Sequence, residues 1–315
     1  MQSRVARLDS GARRLLLVAS VFGTAFHYDG ITELLRHDYQ RSDLESALDN
    51  LVQLEMLETQ AGHRSLAGAQ LDKQLCFRHG LMRDAAYSLL PEDRRRVYHR
   101  LAGRFLQKVG EQDPLVLAGH YERGDDTALA APFFLLAGLR AHWGGDSAGA
   151  VKYATRGLDC QPTDEVRVGL LALLCQSHLW KNEWASSAVY AEQVLILAPP
   201  GSVSWGLAAT AQIVHLGLRN RDRFLQTLDD IASARSDKEG VSALAFALAI
   251  GIYMLDSEAE FDLAQHFLSR LHALVDPVAT QDTVARAWLQ RAHIHREAWV
   301  HRSPATGYQF AVASR

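Results

Sequence analysis

The chain has 315 residues, 48% hydrophobic and 22% charged, with a formal net charge of −3, a globular composition long enough for two domains or for one domain plus a repeat array. Its three cysteines (Cys76, Cys160, Cys175) are too few and too far apart for a disulfide framework or a zinc site, and the apolar run 15–22 is far too short to span a bilayer. A cytoplasmic protein without a signal peptide is expected.

Charge divides unevenly, with +3 over residues 1–110 and −6 over residues 111–315. That basic excess is smaller than a nucleic-acid-binding domain usually carries.

In chain order, Asp9 or Ser10 can cap a helix running through Leu15, Leu16, Val18, Ala19 and Phe22 and ending near Gly23. A second short helix fits residues 31–35. The third begins at Ser42 as N-cap, with Glu45 three positions later as the carboxylate of a capping box. Leu44, Leu48, Leu51 and Val52 form its apolar stripe, extended by Leu54. Residues 57–60 and 75–78 alternate with period two, as half-buried strands do. Between them, residues 61–74 hold Gly62 and Gly68 and read as a wing-like loop. Three helices followed by a two-stranded wing predict a winged helix. The next helix stacks Leu81, Ala85 and Leu89 at i, i+4, i+8, and Pro91 sits where another helix can start.

From Pro91 onward nothing reads as strand. Residues 144–162 align without gaps to residues 181–199, matching Ala148/Ala185, Tyr153/Tyr190, Ala154/Ala191, Leu158/Leu195 and Pro162/Pro199. Small residues let paired helices approach, tyrosines fill the groove, and proline ends the second helix of each pair. The pattern resembles tetratricopeptide (TPR) units. Weaker units follow at 203–235 and 241–277, the latter with Phe261, Ala264 and Phe267 in its second helix, and 281–300 forms one further helix. The expected class is mainly α: a winged-helix domain with a small β wing over 1–90, linking helices over 91–126, a degenerate TPR-like solenoid over 127–302 and an irregular tail over 303–315.

Three chemical signatures fail on context. Gly145-Asp146-Ser147-Ala148-Gly149 matches the G-x-S-x-G elbow literally, but that motif needs a buried strand before the serine, and residues 133–143 are helical in pattern. His293 and His295, two apart, turn about 200° on a helix and cannot share one face. No G-x-x-x-x-G-K-[ST] phosphate loop occurs anywhere. The expectation is a protein with no catalytic residues, no metal and no cofactor of its own. The third helix presents Asp43, Glu45 and Asp49, and an acidic face would repel DNA phosphates.

The stretch Phe77-Arg78-His79-Gly80-Leu81-Met82-Arg83-Asp84-Ala85-Ala86-Tyr87, closed by Leu90-Pro91 and Arg94-Arg95-Arg96, carries a more specific likeness. It resembles the segment just after the nucleotide-binding domain in bacterial STAND ATPases (signal-transducing NTPases with numerous domains), including those fused to LuxR-type regulators, protein kinases or adenylate cyclases. There the form is close to F-R-H-x-L-[LIM]-R-[DE]-A-x-Y-x-x-L-[LP]. The resemblance implies the non-catalytic sensor arm of such an ATPase. Its winged helix would couple to a nucleotide-binding domain of the same or a neighbouring protein. The repeats would bind a protein or small-molecule signal. His79 and Arg83 would touch the nucleotide phosphate, ATP or ADP being implied only for an ATPase domain absent from this chain. The arginine run would then be a solvated face or a surface against that domain. Nucleic acid and membrane are not expected partners. The alternatives are a stand-alone TPR scaffold and a winged-helix transcription regulator.

Overall fold

In the computed structural model, which describes residues 2–36, 39–60, 74–217, 220–236 and 239–300, Asp9 caps the first long helix. Its carboxylate accepts the Ala12 amide at 2.8 Å, satisfying one of the helix's orphan donors. A short helix α1 (Gln2–Ala6) precedes it, and the capped helix is α2 (Ser10–Ala19). Then come β1 (Ala25–His27), α3 (Tyr28–Leu35), α4 (Arg41–Gln53), β2 (Leu57–Gln60), β3 (Gln74–Phe77) and α5 (Gly80–Leu89). The strands form one antiparallel sheet in the order β1-β3-β2, with Phe26 opposite Leu75 and Leu57 opposite Phe77.

Four local expectations change. Strand β1 was not foreseen, because three residues after Gly23 are too short to show a period. The capping box is absent: α4 starts at Arg41 after an extended Gln40 that makes no side-chain cap, so Ser42 lies inside the first turn. Strand β2 does not alternate, since only Leu57 is buried and Thr59 faces out. Helix α5 buries Met82 and Ala86, with Leu90 just beyond it, and leaves Leu81 70% exposed, so the apolar face is one residue over from Leu81, Ala85 and Leu89. The shorter side chains Ala86 and Ala85 do not decide the face; Met82 reaches the core and wins. The expected wing, residues 61–74, lies outside the described residues except for Gln74.

Pro91 is the N-cap of α6 (Glu92–Lys108), which is followed by α7 (Pro114–Arg123) and α8 (Thr127–Trp143). Next are α9 (Ser147–Asp159), α10 (Asp164–Trp180), α11 (Trp184–Leu197), α12 (Val203–Leu216) and α13 (Arg221–Ser233). Then α14 (Val241–Ser257), α15 (Phe261–Val275), a 3-10 turn (Asp276–Val278) and α16 (Thr283–Val300) complete the described chain. The class is mainly α with one small antiparallel sheet among the described residues. The expected tail, 303–315, lies outside them.

The chain divides into two compact units, residues 1–137 with 159–162, and residues 138–158 with 163–315. In the first, Leu15, Leu16 and Val18 of α2 join Ile31 and Leu35 of α3, Leu44, Leu48 and Leu51 of α4, and Leu57, Leu75 and Phe77 of the sheet. Met82, Ala86, Tyr98 and Ala102 close that core from α5 and α6. The second unit packs α10 to α16 around Leu171, Trp205, Phe224, Leu244, Leu248 and Phe267.

The two matched segments of the second unit share one turn. Gly145 and Asn182, 37 positions apart, both adopt left-handed backbone, with φ of 81° and 58°. The residue after each donates its amide back to the helix just ended: Asp146 to the Ala141 carbonyl at 2.8 Å and Glu183 to the His178 carbonyl at 3.0 Å. This is the 6→1 closure of a helix end, and Ala259-Glu260 repeats it with Leu255. Ala154 and Ala191 are fully buried, and Tyr190 stacks on His178 at 5.4 Å. Replacing Ala191 by Leu forces three extra carbons into that contact and should cost about 1–3 kcal/mol. A melting midpoint equal to wild type would show that the α10–α11 contact is loose.

Candidate functional site

His79 is the N-cap of α5, with extended backbone (φ −136°, ψ 130°) and an exposed side chain that makes no capping bond to the helix. Arg78 beside it is held by Glu55 at 3.0 Å and Glu58 at 3.4 Å. Its charge is therefore answered from the sheet side, and the imidazole stands at the free end of a helix whose first amides carry partial positive charge.

One turn on, Arg83 is more deeply set. Its Nε donates to the Ser20 carbonyl at 2.9 Å and its Nη1 to Asp84 at 3.0 Å, which ties α5 to the end of α2. The guanidinium also lies 4.8 Å from the centre of the Tyr87 ring, and Arg95 of α6 approaches the same ring at 4.6 Å. His79, Arg83 and Tyr87, four apart, therefore line one face of α5.

Tyr87 extends that face into the interior. Its hydroxyl meets His99 Nε2 at 2.8 Å, and His99 Nδ1 meets His120 Nδ1 at 3.1 Å. The three residues come from α5, α6 and α7, and the two histidines are 1% and 4% exposed. One Nδ1 must donate and the other accept, so the pair can exist only with at least one ring neutral. Burial, then His120 and the guanidinium groups of Arg123, Arg83 and Arg95, push His99 down to about 3; burial and Arg123 push His120 down to about 4. Both rings are uncharged at neutral pH. The result is a rigid neutral relay of hydrogen bonds behind a cationic helix face.

The sequence singles out His79 and Arg83 but not the hydrogen-bonded set of Tyr87, His99 and His120. The two histidines are 21 residues apart and share no motif. A usable signal existed in α6, where His99 sits beside Tyr98 on the stripe completed by Ala102.

The arginine run splits three ways. Arg95 donates to the Leu90 carbonyl, Arg96 holds Glu92 and Asp125, and Arg94 points into a groove between α2 and α6. Helix α4 exposes Asp43, Glu45 and Asp49 as expected.

In the second unit, the Gly145–Gly149 pentapeptide is a helix–turn–helix corner: Ser147 opens α9, and Asp146 accepts the Gly149 amide at 2.8 Å. No strand precedes the serine, so the elbow geometry is absent. His293 and His295 do diverge. His293 Nε2 meets His272 Nε2 at 2.7 Å, whereas the His295 ring packs 4.3 Å from Tyr253. Among the described residues no three His, Cys, Asp or Glu side chains are arranged to hold a metal ion, and no helix is long and apolar enough to cross a membrane.

A concavity of this unit, about 850 Å³, is lined by Trp184, Val214, Leu216, Ile250, Tyr253 and Met254, with Asn182, Glu183 and His215 among its polar members. Trp143 and Trp180, one repeat apart at the ends of α8 and α10, are 83% and 70% exposed. Exposed indoles at equivalent turns are a surface cost that packing within the unit does not explain.

No protein-family model matches the chain, and comparison with curated proteins and with solved structures returns no match.

Proposed function

We propose that the chain is the regulatory arm of a STAND-type signalling ATPase. The first unit would be a winged helix coupled to a nucleotide-binding domain on another part of the protein or on a neighbour. The TPR-like helical pairs of the second would receive a protein or small-molecule signal. The observation that carries this reading is the exposed His79 imidazole at the head of α5, standing free of its own helix within the F-R-H segment. A cation-capable ring beside unpaired helix amides suits a phosphate. Arg83 holds the helix in place through Nε and Nη1, leaving Nη2 as a second donor. The order helix, strand, helix, helix, strand, strand supports the winged-helix reading, and the repeated left-handed turns support the repeat reading.

In this role the chain needs no catalytic group and no cofactor of its own. The relay of Tyr87, His99 and His120 would give the nucleotide-facing helix a fixed seat on α6 and α7. A change at His79 would then move α5 as a unit.

The test is nucleotide retention. In the complete ATPase, loaded with a fluorescent ADP analogue, His79→Ala should speed release by about 5- to 100-fold, the range of ordinary site-to-site coupling. The isolated chain should keep its wild-type melting behaviour, because an exposed ring contributes little to the core. Equal release rates would reduce His79 to a helix-end residue and leave the stand-alone scaffold, which the exposed Trp143 and Trp180 favour, as the better reading.

A further inference from the structure

The repeated helices supply their own control for what an outward position ordinarily carries. Helices α9, α11 and α13 begin at Ser147, Trp184 and Arg221, 37 positions apart. In that frame Val189 and Ile196 of α11 correspond to Lys152 and Asp159 of α9 and to Gln226 and Ser233 of α13, and all six positions are exposed. Of the three helices, α11 alone places two branched aliphatic side chains there. Val189 is 58% exposed and Ile196 83%. Seven residues are two turns, so both lie on one face, with the small Ala185 one turn before Val189. Leaving such side chains in water is unfavourable, and the polar equivalents in α9 and α13 show that the fold does not demand it.

Charge picks the occupant. Between the two aliphatic side chains α11 carries Glu192 and Gln193, and Glu192 lies 3.8 Å from Arg223 of α13, both side chains more than half exposed. One carboxylate beside one guanidinium is a self-complementary pair. A two-fold axis passing between Glu192 and Gln193 sets α11 antiparallel to α11 of a second copy. Val189 of each copy then meets Ile196 of the other, as an isologous contact requires. The two Glu192–Arg223 pairs come together on one side of the seam, where each guanidinium has a carboxylate from either copy to hold. The two Gln193 amides, each both donor and acceptor, meet on the other side. Antiparallel helices also bring opposite dipole ends together.

We infer that the outward face of α11 is a two-fold contact through which the chain pairs with a second copy of itself. A single helix face is smaller than the standard stable interface of about 1,600 Å², so the pair is weak and depends on concentration. The contact lies in the second unit, needs no nucleotide and does not depend on the ATPase reading.

Sedimentation equilibrium of the full chain tests this directly. Between about 1 and 300 µM the weight-average mass should rise from 34.9 kDa toward twice that value, with a Kd of about 10–100 µM. Ile196→Lys should weaken association at least about tenfold, because it places an unpaired ammonium in the seam. The position is exposed, and an unchanged circular dichroism melt certifies the fold. A charge exchange reads the register. Val189→Lys/Ile196→Lys and Val189→Glu/Ile196→Glu chains should each stay monomeric, and their equimolar mixture should associate, since every lysine then faces a glutamate across the axis.

A mass constant at 34.9 kDa through the highest concentration would overturn the inference and leave this face to a different protein. Undiminished association by Ile196→Lys would overturn it too, as would a mixture of the two charged chains that stays monomeric. Failure here leaves nucleotide release in the His79→Ala protein untouched, so the two readings stand or fall apart.

Discussion

Replacing Arg296 by Met is expected to destabilise the second unit by about 3–5 kcal/mol, the usual cost of leaving a buried charge without its partner. The Asp256 side chain is fully buried, and Arg296, itself only 11% exposed, donates to its Oδ1 at 2.7 Å. Oδ2 has no hydrogen-bond partner and lies 3.7 Å from His295 Nδ1. Burial pushes the Asp256 carboxyl above its ordinary value, and Arg296 pulls it back, so the guanidinium is what keeps a charge tolerable there. The pair joins α14 to α16 near one end, and Ser242, donating to Asp282, joins them near the other. Urea unfolding should show the midpoint fall in Arg296→Met and recover most of the loss in Asp256→Leu/Arg296→Met, because the double change leaves no buried charge to solvate. The raised carboxyl fixes the sign of the pH effect. As pH falls, folded Asp256 takes up a proton before the unfolded chain does, so the penalty in Arg296→Met should shrink toward acid. A single-variant loss under 1 kcal/mol, or no recovery in the double variant, would mean the pair is hydrated.

Asp256 and Arg296 are 40 residues apart, and nothing local in the sequence joins them. That separation explains what was legible and what was not. Elements with a strong period were readable: the stripe Leu44, Leu48, Leu51 of α4 and the matched turns at Gly145 and Asn182 come from spacing alone. Divergence of His293 and His295 followed from helical rotation and needed no tertiary information. The errors fall where two neighbouring registers were equally apolar or an element was very short. In α5, Leu81-Ala85-Leu89 and Met82-Ala86-Leu90 are equivalent patterns a single residue apart, and only the core they meet chooses between them. The capping box at Ser42 failed for a related reason: Gln40 and Arg41 can start a helix without a side-chain cap, so a good motif two residues later had no vacancy to fill. His79 and Arg83 could be singled out because they sit in one contiguous segment. Tyr87, His99 and His120 come together from three helices, and a sequence read in one dimension has no term for that meeting.

The first unit should lose on the order of 4 kcal/mol between pH 7.5 and pH 5 through His99 and His120. The sign follows from the depressed values of about 3 and about 4 in the folded chain, against an ordinary imidazole near 6.5. Between those limits the unfolded chain binds protons that the folded chain refuses. Stability is therefore complete above about pH 6.5 and is lost as pH falls from there toward 4, at about 1.4 kcal/mol per pH unit for each ring once below its unfolded value. Protonating His99 inside the fold would place a buried cation beside Arg123, Arg83 and Arg95, protonating His120 one beside Arg123, and protonating both would set two Nδ1–H donors against each other, so the fold yields instead. Urea melts of wild type, His99→Gln and His99→Gln/His120→Gln across this range read the effect. Each substitution should lower stability at neutral pH by disturbing the relay, while removing about half of the acid slope. The measured quantity is that slope, which a merely structural loss would leave alone. A wild-type midpoint flat from pH 7.5 to 5, or a double variant with the wild-type slope, would mean that these rings are charged and solvated. The seat beneath the His79 helix would then be soft, and α5 could move without α6 and α7.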